Sequence, residues 1–334
     1  MAELNRNARR LVASGALLFL LLPAVAAGLH LPDLVTLGTQ VVIYGIAAVS
    51  LDLLIGYCGL SSFGHAAFFG LSAYIVGIMA LDAKSGEAFL WLLPGSTEAW
   101  IVWPLAVLVA AFAALVIGAL SLRTSGIQFI MITLAFAEML YYLFVSLRAF
   151  GGDDGLGFRR RDALPIIGSG TDISFYYVCL AALMLFLAGC RRLVRSRFGL
   201  VLEGIRQNER RMLALGLRSY RYKLAAFVIA GAGAGLAGTL DANLNRFVSP
   251  DLLHWTTSGD LMVMVLLGGA GSLFGPVLGA AVMVVLQSYL AQWTEHWMIA
   301  LGPFLVLVIL FARRGIWGLL GGHRAAALPA KAWP

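Results

Sequence analysis

Charge is what this sequence most lacks. Only 12% of its 334 residues are charged, about half the share usual for a soluble domain, while 60% are hydrophobic and the mean hydropathy is +0.88. A chain so poor in charge cannot clothe a water-facing surface, so a soluble globular protein is excluded. The strict apolar–polar alternation of a membrane β-barrel is missing too, and the apolar runs are continuous, so the spans are helices. Cysteine is scarce: Cys58, Cys179 and Cys190 lie in or beside apolar runs without metal-ligand spacing and read as packing residues. No Walker A pattern, no Ser-His-Asp order and no glycine-rich dinucleotide fingerprint occurs, which leaves an enzyme reading almost nothing to stand on. The net charge of +7 does not imply nucleic acid, because its largest cluster is a loop between membrane segments.

That loop, Arg191 to Lys223, is the one long polar interruption. Ten of the 24 Lys and Arg fall inside it, against two acids, Glu203 and Glu209. Lys and Arg resist translocation, so the loop is expected on the cytoplasmic side. Val201, Leu202, Ile205, Met212 and Leu213 recur near helical spacing, predicting one amphipathic helix that ends near Gly216. Such a helix either rests on anionic lipid or docks a cytoplasmic partner.

Along the chain, a basic leader (Asn5 to Arg10) precedes an apolar run, Leu11 to Ala27, read as a retained first span rather than a secretory signal. Further spans are expected at Leu34 to Gly56, Leu60 to Leu81, Ile101 to Leu122, Ile127 to Leu147, Ile173 to Gly189 and Leu224 to Leu240, with a last one at Met298 to Ala312. The third and seventh are rich in small residues, which let backbones approach closely. Leu252 to Leu290 is broken at Gly268-Gly269-Ala270-Gly271-Ser272 and at Gly275-Pro276, and reads as a re-entrant segment that enters and leaves on one side. The fold expected is all-α: about eight full spans plus the broken segment, in a single transmembrane domain over 1–334. With both termini cytoplasmic, 18 basic residues stand inside and six outside, the bias that membrane insertion favours.

Read in order, these motifs resemble a known family. They are GYCGLSSFGHAAFFGLSAY (Gly56 to Tyr74), LRTSGIQFIMITLAFAEML (Leu122 to Leu140), GGDDGL (Gly151 to Leu156), the run Glu203 to Leu240, LGGAGSLFGPVLGA (Leu267 to Ala280) and RRGIWGL (Arg313 to Leu319). Their combination resembles the longer of the two paired permease subunits of branched-chain amino acid ABC importers. The resemblance implies a bacterial inner-membrane protein that works with a second homologous permease, two cytoplasmic ATPase subunits and a periplasmic substrate-binding protein. It implies no cofactor in this chain, ATP and Mg being used by the ATPases. It also turns the basic loop, 191–223, into a coupling element, with Glu203, Arg206, Asn208, Glu209, Ala214 and Gly216 at the matching positions. Similar permeases serve urea, short amides or other amino acids, and an ion-coupled secondary carrier is the alternative from a different class.

Within that reading, Ser61, Ser62, His65, Ser72 and Glu138 are the candidates to line a translocation path, placed along spans two, three and five and the broken segment where small residues leave room. His65 has no sequence neighbour with which to make a metal site. Glu138, near the middle of a span, serves either function or a structural hydrogen bond. Asp52 is assigned to interfacial solvation. Arg159, Arg160 and Arg161 stand against the positive-inside bias, and either form a solvated turn or dock the acidic rim of the receptor.

Overall fold

The structure, a computed structural model, describes residues 17–24, 33–85, 88–89, 93–163, 171–293, 302–303 and 315–319, with single positions at 15, 26 and 28. Part of the first expected span, all but 302–303 of the last, and the tail (313–334) apart from 315–319 lie outside the described residues. Helix α1 (Asp33–Asp52) runs on through a π-helical turn, Leu53–Cys58. Then follow α2 (His65–Ser85), α3 (Ala99–Ser121), α4 (Ile127–Ser146), α5 (Asp172–Arg195), α6 (Arg197–Gln207), α7 (Glu209–Ala214), α8 (Ser219–Asn245), α9 (Trp255–Gly268), α10 (Gly275–Trp293) and α11 (Gly315–Leu319). Seven of the described helices are long and apolar enough to cross a membrane. Six run through the bundle, and the seventh, α10, is the return arm of the broken segment. The protein is a polytopic helical membrane protein.

The helices sort into an inner and an outer set. The apolar windows of α1, α2 and α8 are 83%, 78% and 67% buried, against 33% or less for α3, α4 and α5. The inner helices pack closely because α8 is almost entirely glycine and alanine over 230–238. Gly231 and Gly235, one turn apart, meet Ala114 and Ala110, one turn apart on α3. At Gly238 the approach leaves no alternative: a Cβ there would stand 1.9 Å from the Phe69 carbonyl oxygen of α2. The small residues of the seventh expected span thus serve close backbone approach, as their composition suggested.

The two ends of the bundle differ. At one end, β3 (Leu156–Gly157) pairs antiparallel with β4 (Phe247–Val248), joining the 147–163 loop to the segment after α8. A second short ladder, β1 (Ala88–Phe89) with β2 (Leu93–Pro94), lies after α2. At the other end stand α6 and α7, the tight turn between α3 and α4, the turn between α9 and α10, and α11.

The broken segment is a helical hairpin. Its first arm, α9, has 14 residues and spans about 21 Å, short of a 30 Å hydrocarbon core. Gly269 and Gly271 turn the chain with φ of 105° and 78°, and α10 returns along α9 so closely that a Cβ on Gly279 would meet the Met264 carbonyl oxygen at 1.9 Å.

Three expectations need correction. The third span starts at His65 rather than Leu60, because Gly59 adopts the left-handed conformation (φ 71°) and ends the preceding helix. The single amphipathic helix of the basic loop is two helices, α6 and α7, broken at Asn208, whose backbone is extended. The sixth and seventh spans also reach further into the loop, to Arg195 and from Ser219, so less of 191–223 is loop than its polarity suggested.

Candidate translocation and coupling site

Residues 59–64 are non-helical backbone inside the bundle, and such backbone must find partners. Two neighbouring helices supply them. Thr133 on α4 accepts the Phe63 N–H through Oγ1 (3.3 Å). Ser258 on α9 donates to the Phe63 carbonyl (2.7 Å) and accepts the Ala66 N–H (2.8 Å), one of the orphan donors at the start of α2. Ser62, fully buried, accepts the Gly64 N–H (3.1 Å), and Ser61 is half-buried beside it.

His65 opens α2 at the end of this break. It is wholly buried, its ring edge-on to Phe68 at 5.9 Å, and neither ring nitrogen has a hydrogen-bond partner among the described residues. Unsatisfied buried polar atoms are uncommon in folded proteins, so His65 is a site with capacity to spare. Ser72, about two turns on, is placed differently. It donates to the Phe69 carbonyl and faces Gly238, inside the α2–α8 seam. Glu138 accepts the Trp255 N–H at 3.1 Å and stands 3.8 Å from His254 Nε2. A carboxylate at the N-terminus of α9 satisfies one free donor and complements the helix dipole. Ser62, His65 and Glu138 thus border one structural feature, the break before α2 and the α9 arm against it, and Ser72 does not.

At the far end of the hairpin is a residue whose role the sequence did not reveal. Asp52, expected in interfacial water, is fully buried, and its Oδ1 accepts the Gly271 N–H at 2.5 Å. Gly56, one turn on, touches both: a Cβ there would be 2.4 Å from Asp52 Oδ1 and from the Gly271 nitrogen. A lone aspartate ending an apolar run was the available signal. Ser258 and Thr133 gave none, being ordinary hydroxyls in apolar helices.

The basic loop presents its residues unequally. Leu202 and Ile205 are buried beneath α6, whereas Glu203 and Ala214 are exposed. Arg206 turns toward the bundle and donates through Nη1 to the Gly56 carbonyl of the π-turn. Asn208 caps α7, accepting the Arg211 N–H through Oδ1 (3.0 Å). Glu209 pairs with Lys223 of α8 at 2.7 Å. Burial raises the Glu209 pKa, and the hydrogen bonds from Lys223 and Ser219 with the Lys223 charge more than offset this, holding the carboxyl below its usual range. Gly216 (φ 82°) ends the loop helices and lines an open groove of about 400 Å³ with Phe198, Leu217, Arg218, Arg221 and Tyr222.

At the opposite end the three arginines separate. Arg159 and Arg160 are exposed. The Arg161 side chain is only 9% exposed: it pairs with Asp172 (2.8 Å), donates to the Asn243 carbonyl (3.0 Å) and stacks over Phe175. Among the described residues no group of His, Cys, Asp and Glu is placed to hold a metal ion.

Comparison with known proteins bears on this arrangement. A family model described as branched-chain amino acid transport system / permease component matches residues 34–312. The chain is 30% identical over 306 residues to the high-affinity branched-chain amino acid transport system permease protein LivM of Salmonella typhimurium, covering 84% of this chain and 69% of the relative. The Escherichia coli protein of the same description matches to the same extent. A probable branched-chain amino acid transport permease protein LivM of Methanocaldococcus jannaschii is 27% identical over 295 residues, covering 78% and 83%. No solved structure gives a significant match.

Proposed function

Since the chain belongs to the branched-chain amino acid transport permease family, we propose that it is the membrane permease subunit through which a bacterial ATP-driven importer takes up branched-chain amino acids. The family match over 34–312 carries this reading. It extends from α1 past the hairpin and so includes both the break before α2 and the α6–α7 loop.

In this reading the α6–α7 end is cytoplasmic and the β3–β4 end faces the periplasm. A second, homologous permease completes the membrane unit, and two ATPases hydrolyse MgATP beneath it. The exposed Glu203 and Ala214 meet the ATPase, while Asn208, Glu209 and Gly216 fix the shape of the loop that meets it. A periplasmic receptor delivers the amino acid and docks at Arg159 and Arg160. Ser61, Ser62, His65 and Glu138 border the path, beside a largely apolar wall suited to a branched aliphatic side chain. Few strong polar contacts suit a path that must release what it binds.

The test is reconstitution of the chain with its permease and ATPase partners in liposomes, supplied with leucine-loaded receptor. ATP-dependent leucine uptake is expected. Uptake driven by an ion gradient without ATP would establish a secondary carrier instead, and uptake of urea or a short amide in place of leucine would reassign the substrate. In the same preparation, Glu203→Arg should weaken ATPase association while leaving membrane insertion intact. Losing one charged contact at a partly desolvated interface costs on the order of 2–5 kcal/mol.

A further inference from the structure

The α9–α10 hairpin touches the bundle at two levels. Near its start, Ser258 bonds both sides of the break before α2, and Glu138 caps its first turn. At its turn, Gly271 is held by Asp52, directly against Gly56. Between these levels the hairpin is stiff, its arms in backbone contact at Gly268 with Gly275 and at Gly279 with Met264. A shift imposed at the turn therefore moves the Ser258 level as well, since close-packed elements do not absorb displacement by bending.

The residues that hold the turn also belong to the element contacted by the loop. Asp52 is the last residue of α1, and Gly56 lies in the π-turn that follows. π-Turns are rare and mark functional sites more often than regular helix does. The carbonyl of that same Gly56 accepts the Arg206 guanidinium from α6, and Gly59, which ends the turn, packs against the Arg206 side chain. Loop helix, π-turn and hairpin thus form one contiguous line: Arg206 to the Gly56 carbonyl, Gly56 against Asp52, Asp52 to the Gly271 N–H.

We infer that Asp52 is a positioning residue, the joint through which movement of the α6 loop is passed to the re-entrant hairpin and so to the break before α2. The inference rests on the functional reading above and adds the route by which ATPase closure reaches the path. A joint of this kind needs an acceptor that stays fixed while its partners move together. A buried carboxylate on a backbone N–H supplies that, because losing the bond strands a buried polar group.

The readout is the ratio of leucine taken up to ATP hydrolysed in the assembled complex. Asp52→Ala and Arg206→Ala are each expected to lower that ratio roughly tenfold, the effect of a lost charged hydrogen bond; in Asp52→Ala, ATPase binding and receptor-stimulated hydrolysis are kept. Asp52→Asn retains an acceptor at the same place and should restore most of the ratio. The double variant should be no worse than the worse single one. Uptake and hydrolysis falling together at constant ratio would show a merely structural Asp52 and overturn the inference, as would an Asn variant no better than Ala. If Asp52→Ala does not assemble, Arg206→Ala decides, since that residue lies at the loop surface; a wild-type ratio there refutes the joint. A second arm does not depend on transport. Nitroxides at Leu200 on α6 and Leu266 on α9, both exposed, should give a narrow distance distribution that broadens in Asp52→Ala and not in Asp52→Asn. An unchanged width in Asp52→Ala overturns the joint even if wild-type transport fails and the functional reading falls with it.

Discussion

At the scale of single residues, the site is governed by how little room its glycines leave. Gly56→Ala would place a Cβ 2.4 Å from both Asp52 Oδ1 and the Gly271 backbone, neither of which is a flexible side-chain end. The expected cost is about 1–3 kcal/mol of overpacking, read as a lowered Tm in detergent, together with the uncoupling predicted for Asp52→Ala. Gly45, whose nearest neighbour would be a Val277 methyl at 3.5 Å, should accept alanine with little change and serves as the control. Asp162, in the 147–163 loop, gives a pH prediction. Burial pushes its carboxyl up to about 6, with hydrogen bonds from Asn243 and Trp103 opposing that rise. Its folded-state value thus exceeds its unfolded one, and the native chain binds the extra proton between about pH 4 and 6, so stability falls as pH rises through that window and levels off above it. Proteolysis of the 147–163 loop should therefore be slower at pH 5 than at pH 7, and Asp162→Asn should abolish the difference. Little of this was legible in the sequence. An isolated aspartate at the end of an apolar run looks the same whether it meets water or a backbone N–H 219 positions away.

At the scale of elements, sequence reading succeeded where one physical signal dominated. Continuous apolar runs marked the through-going helices, and the glycine cluster at 268–275 marked the hairpin turn because the short apolar run before it could not cross alone. It failed where two signals had the same period. The apolar positions of 201–213 fit one helix, and only the extended backbone of Asn208, together with its side-chain cap on Arg211, shows that there are two. The break at 59–64 was absorbed into a span because none of its residues is charged, and its partners, Thr133 and Ser258, come from distant helices. Asn208→Ala should cost α7 about 0.5–2 kcal/mol. For a helix of six residues that suffices to fray it, visible as faster amide exchange over 209–214 with α6 unaffected. The Glu209–Lys223 pair holds the other side of α7. Because the Glu209 value is lowered in the folded state, this contribution is complete above the unfolded carboxyl range and lost as pH falls through the folded value. Protection of the α7 amides, taken relative to their intrinsic exchange rates, should then fall in acid, in wild type more than in Glu209→Gln.

At the scale of the whole molecule, the two ends of the bundle differ in what they present. The α6–α7 end, cytoplasmic in the proposed reading, carries the loop helices and the hairpin turn on one contiguous set of contacts. The β3–β4 end is closed by that ladder and by Arg161, and presents Arg159 and Arg160 outward. Three consecutive arginines read from sequence as one patch, yet their neighbours divide them. Arg161 spans from the 158–163 segment to Asp172 at the head of α5 and to the Asn243 carbonyl near the end of α8, over the Phe175 ring. Reversing its charge would leave Asp172 facing a like charge and the Asn243 carbonyl short of a donor, so Arg161→Glu should reduce assembled permease and loosen the loop to protease. Arg159 and Arg160 are in water, where a charge changes encounter more than affinity. Arg159→Glu with Arg160→Glu should therefore leave assembly and basal ATP hydrolysis unchanged. Association with the receptor should slow roughly tenfold at low ionic strength, and the difference should shrink as salt rises past the range where the Debye length is about 8 Å. Stopped-flow association across a salt series separates the cases. A double variant that binds receptor at the wild-type rate at every salt concentration would remove these two arginines from the docking surface, and a defect that persists undiminished at high salt would make them contacts of the bound complex rather than guides to it.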